Sequence, residues 1–253
     1  MNRKELKVLL DEKADLYNRP DFIQTDPIQI VHRFSKQQDI EIIGLLMATI
    51  AWGNRRSIIN NGERLVQIME NSPHDFLLNT TEEDWQKIEF VHRTFNREDL
   101  LFFFSALKQH YSKESSLETM FLSVTNTPSI KEHIFHFRTT LLSYPHLQRT
   151  EKHISNPMSG SAAKRLNMFL RWMVRKDDRG IDFGIWNSIP QSSLRIPLDV
   201  HTGNVARKLG ILSRKQNDWK ALDEIHATLD SFDPKDPSRY DFALFGLGAF
   251  ENY

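Results

Sequence analysis

The sequence predicts an all-α fold, and three observations carry that reading. No segment shows sustained apolar–polar alternation of period two. Apolar residues recur instead at the three- and four-residue spacing of a helix face. Short polar turns with Pro, Asp, Ser, Thr or Gly separate these runs, which is how helices start and stop.

Residues 2–18 place Leu6, Leu9, Leu10 and Leu16 near one face, with acids and bases on the other. Asp26-Pro27 reads as an N-cap followed by a first helical residue, so a helix starts there. The run IEIIGLLMATIA (40–51) is almost wholly apolar, and its length favours a buried helix over a strand. It leads into Trp52-Gly53-Asn54-Arg55-Arg56. A second helix follows over SIINNGERLVQIME, with Ser57 as its expected cap and Ile58, Leu65 and Ile68 inward. The tip of this hairpin is either a packed turn with solvated arginines or a loop that touches nucleic acid. Arg binds phosphate, while Trp and Asn can stack on or hydrogen-bond exposed bases.

Helix starts are expected at Ser72-Pro73 and over Thr81–Trp85, where acids suit a first turn. REDLLFFFSALKQHY (97–111) reads as a strongly apolar helix with Phe102, Phe103 and Phe104 in a core. Two shorter helices are expected over 115–124 and 128–143, the second with Ser129 near its start. His133 and His136 share a turn there, but no third ligand lies near them in sequence, so no metal is assigned. Residues 144–156 follow no clear pattern.

Asn156–Ser161 is rich in turn residues. A helix is expected from about Ala162, with Leu166, Phe169, Leu170 and Met173 as its apolar stripe. Lys164 falls in its first turn, where the helix dipole opposes a cation. A neutral amine is a nucleophile and an ammonium is not. Lys164 is therefore either a candidate nucleophile or one solvated base among Lys164, Arg165, Arg171, Arg175 and Lys176. Asp199 precedes the next helix, with Val200, Val205 and Leu209 inward and Gly210 as its stop. It reads as an N-cap, and a carboxylate held that way can also stabilise a developing cation. Asp241, near the last helix, reads as another cap or a surface acid.

The bulk numbers narrow the function classes. The 33 basic and 33 acidic side chains balance, which argues against binding nucleic acid by bulk charge but leaves room for a local basic face. There is no cysteine, hence no disulfide, iron–sulfur cluster or thiolate zinc site. The N-terminal residues are charged throughout, and no run approaches the ~18 apolar residues of a membrane span. A cytoplasmic protein without membrane association is expected.

The run IPLDVHTGNVARKLG (196–210) resembles the aspartate-bearing segment of the helix-hairpin-helix DNA glycosylase superfamily, which includes endonuclease III and the 8-oxoguanine DNA glycosylases. PMSGSAAKR (157–165) resembles its hairpin and lysine, LLMATIAWGNRRSI (45–58) its DNA-reaching helix and loop, and YDFALFGLGAF (240–250) its closing helix. Nearly the full chain also looks like an uncharacterised bacterial domain-of-unknown-function family related to that superfamily, with the archaeal 8-oxoguanine glycosylases nearest. Two departures stand out. Gly160 is the one glycine where the superfamily shows two, and Lys164 and Asp199 lie 35 positions apart, farther than in endonuclease III.

The resemblance implies a two-lobed helical unit over 1–253. A central lobe spans about 28–143, and a hairpin lobe over about 144–253 is completed by the N-terminal helix. It implies a monomer acting without cofactor on double-stranded DNA that holds a damaged or abasic nucleotide, with 8-oxoguanine favoured. Lys164 attacks the sugar and forms a Schiff base, and Asp199 stabilises the positive charge. Trp52, Asn54, Arg55, Arg56, Gly160, Ser161, Arg165, His201 and Arg207 are the DNA-contact candidates. Trp172 and Trp186 are the candidates for a base pocket. Two other readings stay open: a DNA-binding module of the same fold without catalysis, and an all-α protein-interaction domain.

Overall fold

The computed structural model describes residues 1–123, 125, 128–251 and 253, and the fold is all-α. In chain order the helices are α1 (Arg3–Tyr17), α2 (Ile28–Val31), α3 (Gln37–Ile50), α4 (Arg55–Ile68), α5 (Pro73–Asn79) and α6 (Arg97–Tyr111). They continue as α7 (Ile130–Leu141), α8 (Lys164–Val174), α9 (Val200–Lys208), α10 (Trp219–Phe232) and α11 (Tyr240–Phe250). None is long and apolar enough to cross a membrane, among the described residues. The chain forms two compact units, one of Met1–Gln24, Thr127–Glu132 and Ser155–Tyr253, the other of Thr25–Asn126 and His133–Ile154.

In the unit built around residues 25–126, α3 is the centre. Every residue from Asp39 to Ile50 is buried, as an all-round apolar helix requires. Glu41 is buried with them and is satisfied by Tyr111 Oη (2.7 Å), Ser116 Oγ (2.6 Å) and the Leu117 N–H (2.9 Å). Phe102, Phe103 and Phe104 of α6 all lie in the core. A helix does start near Asp26-Pro27, one of only four residues, but Pro27 rather than Asp26 holds its cap position, and Asp26 Oδ1 accepts from the Ile28 N–H at 3.0 Å from one residue before it.

Local chemistry differs from expectation at several points. Asn54, not Ser57, caps α4: its side-chain oxygen accepts from the Ser57 N–H. Thr81–Trp85 opens only a 3₁₀ turn (Asp84–Lys87). The expected 115–124 helix is a 3₁₀ turn over Leu117–Met120, with residue 124 outside the described residues. A two-residue hairpin, β1 (Val91–His92) antiparallel to β2 (Phe95–Asn96), turns through Arg93 at φ +56°. It is too short to leave a period-two signal, and Arg93 is not a residue type that announces a left-handed turn.

In the other unit α1 packs along α11. The Tyr17 ring lies directly on Gly246, which leaves no room for a side chain there. Asp11 accepts from Arg239 Nη2 at 2.6 Å and Tyr240 Oη at 2.7 Å. Leu6, Leu10 and Ala14 form the buried stripe, and Leu16 is exposed, because the apolar face follows the spacing of four set by Leu6 and Leu10. Val200 is likewise exposed rather than inward, since as first residue of α9 it precedes the face that packs on α11. A dense charged cluster lies inside this unit. Arg175 pairs with Asp177 (2.8 Å), Asp182 (3.0 Å) and Asp236 (2.9 Å), and Arg171 pairs with Asp182 (3.2 Å) and with Asp241. Both guanidinium groups lie over the Phe242 ring. Buried charges persist only when paired in this way.

Candidate active site

Lys164 is the first residue of α8, and Asp199 is the residue that caps α9. The turn before Lys164 is held by several local bonds. Asn156 Oδ1 accepts from the Met158 N–H at 2.9 Å, and Ser161 Oγ accepts from the Ala163 N–H at 3.1 Å. Gly160 takes φ +92° without penalty. Ala163 takes φ +45°, a left-handed conformation that costs an alanine of order 1 kcal/mol. The Trp219 N–H donates to the Gly160 carbonyl at 2.9 Å, and Asn167 Nδ2 donates to the Ala162 carbonyl at 2.9 Å. The strained entry to α8 is thus fixed from two sides.

The segment before Asp199 is buried at Ile196, Pro197 and Leu198. The Ile196 N–H donates to His226 Nε2 at 3.0 Å, so the ring proton sits on Nδ1, 2.9 Å from Asp230. Asp199 then divides its two oxygens. Oδ1 accepts from the Thr202 N–H at 2.9 Å, the N-cap bond, and Oδ2 lies 3.0 Å from Lys164 Nζ. The two side chains keep 35% and 29% of their surface exposed, so the pair faces solvent and a substrate can reach it. Burial acts to raise the Asp199 carboxyl, but the Lys164 cation and the Thr202 N–H outweigh it and hold it below the usual carboxylate range.

Behind Asp199 stands Asn217, to which the sequence gives no pointer. Its Nδ2 donates to the Asp199 carbonyl at 2.8 Å, and its Oδ1 accepts from Arg207 Nη2 at 2.6 Å. A side chain at residue 203 would collide with Asn217, so Gly203 is what admits it. After α9 the chain closes in a Schellman turn: Ile211 N–H to the Ala206 carbonyl and Gly210 N–H to the Arg207 carbonyl, both 3.0 Å, with Gly210 at φ +75°.

The remaining candidates fall into different settings. Trp172 and Trp186 are 0% and 2% exposed and belong to the core of this unit, with Trp186 edge-on to Phe169. Rings enclosed on every side are packing residues, so the base-pocket expectation for them is corrected. Asp241 is neither cap nor surface acid: Arg239 occupies the cap position of α11 and Asp241 is buried against Arg171. Arg165 is only partly accessible, and burial lowers its guanidinium to about 10. Arg207 spends its donors on Asn217 and on the carbonyls of Arg214 (2.9 Å) and Lys215 (2.8 Å). Gly160 and Ser161 lie on the turn, with Ser161 exposed. His201 is exposed and lines a cleft of about 370 Å³ with Asn204, Lys208 and Tyr253.

Within the other unit, Trp52 packs edge-on against His92 (4.9 Å between ring centres), and its carbonyl accepts from His92 Nε2 at 3.2 Å. Asn54 spends its side-chain oxygen on the α4 cap, and Arg56 is exposed. The exposed Arg93 lies across Gly53, which adds a cation to the Arg55–Arg56 tip. His133 Nδ1 donates to the Phe121 carbonyl at 2.8 Å, and no group of three His, Cys, Asp or Glu is placed to hold a metal ion, among the described residues.

The model of one protein family, described as "Protein of unknown function (DUF2400)", matches residues 26–250. No curated protein and no solved structure matches the chain.

Proposed function

The chain belongs to the DUF2400 family of unknown function, and we propose that in it Lys164 and Asp199 carry out lysine-dependent excision of a damaged base from double-stranded DNA. The observation that carries this reading is the 3.0 Å approach of Lys164 Nζ to Asp199 Oδ2 at the starts of two helices, with both groups accessible. The resemblance of the hairpin and of the aspartate segment to helix-hairpin-helix glycosylases supplies the substrate class.

In this mechanism the damaged nucleotide leaves the base stack, since its sugar C1′ is out of reach within the duplex. The Lys164 ammonium first gives a proton to solvent water; the free amine then attacks C1′ as the bond to the base breaks, and the proton that the new C1′–N ammonium sheds leaves with the base. Asp199 carries the negative charge that stabilises the sugar cation as it develops. Its cap bond keeps the carboxylate oriented through the reaction. Opening of the sugar ring gives a Schiff base on Lys164, and loss of a proton at C2′ expels the 3′ phosphate and nicks the strand. The tip carrying Trp52, Arg55, Arg56 and Arg93 supplies contacts to the DNA backbone.

The test is borohydride trapping with duplexes holding an abasic site or 8-oxoguanine. A covalent adduct that disappears in Lys164→Ala supports the proposal, and an adduct that survives it removes Lys164 as nucleophile. Salt-dependent DNA binding with no adduct on either duplex assigns the chain to a non-catalytic DNA-binding role instead.

A further inference from the structure

Asn217 holds Asp199 at its carbonyl, and the chain that leads into Asp199 is held at Ile196 by a second buried side chain, His226. His226 lies on α10 and is 1% exposed, and its Nε2 accepts from the Ile196 N–H at 3.0 Å. From there to the carboxylate the chain has little freedom. A residue before proline is confined to extended conformations, so Pro197 restricts Ile196. Proline also fixes its own φ. Ile196, Pro197 and Leu198 are all buried, so packing fixes their side chains as well. Asp199 is extended, at φ −122° and ψ −169°, and places Oδ1 on the Thr202 N–H. A shift at Ile196 is therefore carried along a stiff segment to Asp199.

An imidazole can accept that bond in one state only. In the neutral ring one nitrogen donates and the other accepts, and in the cation both donate. Nδ1 lies 2.9 Å from Asp230 Oδ1, which takes the ring proton and leaves Nε2 free to accept. The charges around the ring suit this state. Asp230 and Asp223 stand on its own helix, and Arg195 comes from the segment opposite, with Nη1 3.2 Å from Nδ1 and 3.4 Å from Asp230. Asp230 thus has Arg195 as its cation and needs no second one from the imidazole. Burial pulls the ring below the usual histidine range; Arg195 acts the same way, and Asp230 and Asp223 act against it.

We infer that neutral His226 is a positioning residue for Asp199, setting where the carboxylate meets Lys164 through its bond to the Ile196 N–H. This rests on the reading of Lys164 and Asp199 as the reacting pair. His226 is enclosed within its unit and does not touch substrate. Its contribution therefore falls on the chemical step and not on affinity for DNA. It acts from the side opposite Asn217: one residue fixes the chain entering Asp199, the other the carbonyl leaving it.

The experiment compares His226→Gln with His226→Asn in the full chain. Glutamine brings its amide oxygen to where Nε2 sits and keeps an acceptor for Ile196. Asparagine ends near Nδ1, where it reaches Asp230 but not Ile196. Both remove the ring, so they share its packing cost. His226→Asn is expected to slow single-turnover adduct formation at saturating duplex about tenfold or more, with duplex affinity unchanged. His226→Gln is expected to restore most of the wild-type rate. Equal rates in the two folded variants, or a loss in His226→Asn that lies in affinity alone, overturn the inference. The second readout needs no DNA. In His226→Asn the Thr202 amide should exchange with solvent about fivefold faster, relative to the Arg175 amide bonded within α8. An unchanged ratio also overturns it. The third is made on the wild type: a nitrogen–nitrogen coupling across the hydrogen bond from Ile196 to His226 Nε2, whose absence overturns the inference even where neither variant folds. Absence of any adduct in the wild type bears instead on the proposed function, and the exchange ratio and the coupling still decide the positioning.

Discussion

Asn217 holds Asp199 from behind: its amide nitrogen donates to the Asp199 carbonyl at 2.8 Å while its oxygen takes a bond from Arg207 at 2.6 Å. The loop after α9 is thereby fastened to the residue that starts α9. Asn217→Ala should cost about 1 kcal/mol of stability and slow adduct formation roughly tenfold, since a carboxylate off position by a fraction of an ångström loses its alignment. Thermal melts and single-turnover trapping measure the two effects. Trapping that stays at the wild-type rate would show that Asp199 needs no support from this side.

Asp199 has two roles that substitutions can separate. Asparagine caps a helix as well as aspartate does, and alanine does not. Asp199→Asn should therefore keep near wild-type stability and lose trapping. Asp199→Ala should lose trapping and about 1 kcal/mol as well. The ion pair itself is about one-third exposed, so its loss in Lys164→Ala should cost under about 1 kcal/mol. Melting curves of the three variants side by side give the answer.

Asp241 predicts a pH dependence of stability with a definite sign. Its folded value of about 6 lies above the ordinary 3.8, so the bound proton favours the folded state. That contribution is complete below the ordinary value and is lost as pH rises through about 6, with an upper size of about 3 kcal/mol. Asp199, held low, acts oppositely, contributing above the ordinary carboxylate range and losing that contribution as pH falls. Asp241→Asn should remove only the first dependence. Relative to wild type, the variant should become steadily more stable between pH 4 and pH 7 in urea melts. A constant difference across that range would show that Asp241 is ionised throughout.

The exposed cations at the tip of the α3–α4 hairpin should govern DNA affinity through salt. Arg56→Ala and Arg93→Ala should each lower the slope of log affinity against log salt by about one. Their effect should be the same on damaged and undamaged duplexes, because phosphate contacts carry no sequence information. Fluorescence anisotropy at several salt concentrations tests this, and slopes equal to wild type would remove the tip from the interface.

Much of the helical framework was legible because its signals are local. Apolar spacing gave α3 and α6, Asp-Pro gave the start of α2, and an aspartate three residues before Thr202 gave the α9 cap. Asn54 takes the cap position expected of Ser57, because either residue type can cap and only the backbone tells which one does. Trp172 and Trp186 were misjudged because an aromatic residue looks the same in sequence whether it faces a pocket or a core. Asn217 and the pairing of Asp241 with Arg171 arise from packing between distant segments, to which no local pattern points. The close approach of Lys164 to Asp199 is of the same kind, and the sequence offered it through resemblance rather than through spacing.

The pairing of α1 with α11 has a consequence for how the protein is made. Helix α1 is synthesised well before its main packing partner, α11, with Asp11 bonded to Tyr240 and Lys13 and Tyr17 bonded to Glu251. While the residues between α1 and α11 are being made, the Leu6–Leu10–Ala14 stripe has nothing from α11 to cover it. At translation rates of about 5–20 residues per second, that interval lasts at least ten seconds. A nascent chain arrested before residue 240 should therefore bind an apolar-surface chaperone through the α1 segment. Extension past residue 251 should release it, and the unit centred on α3 should by then already resist protease.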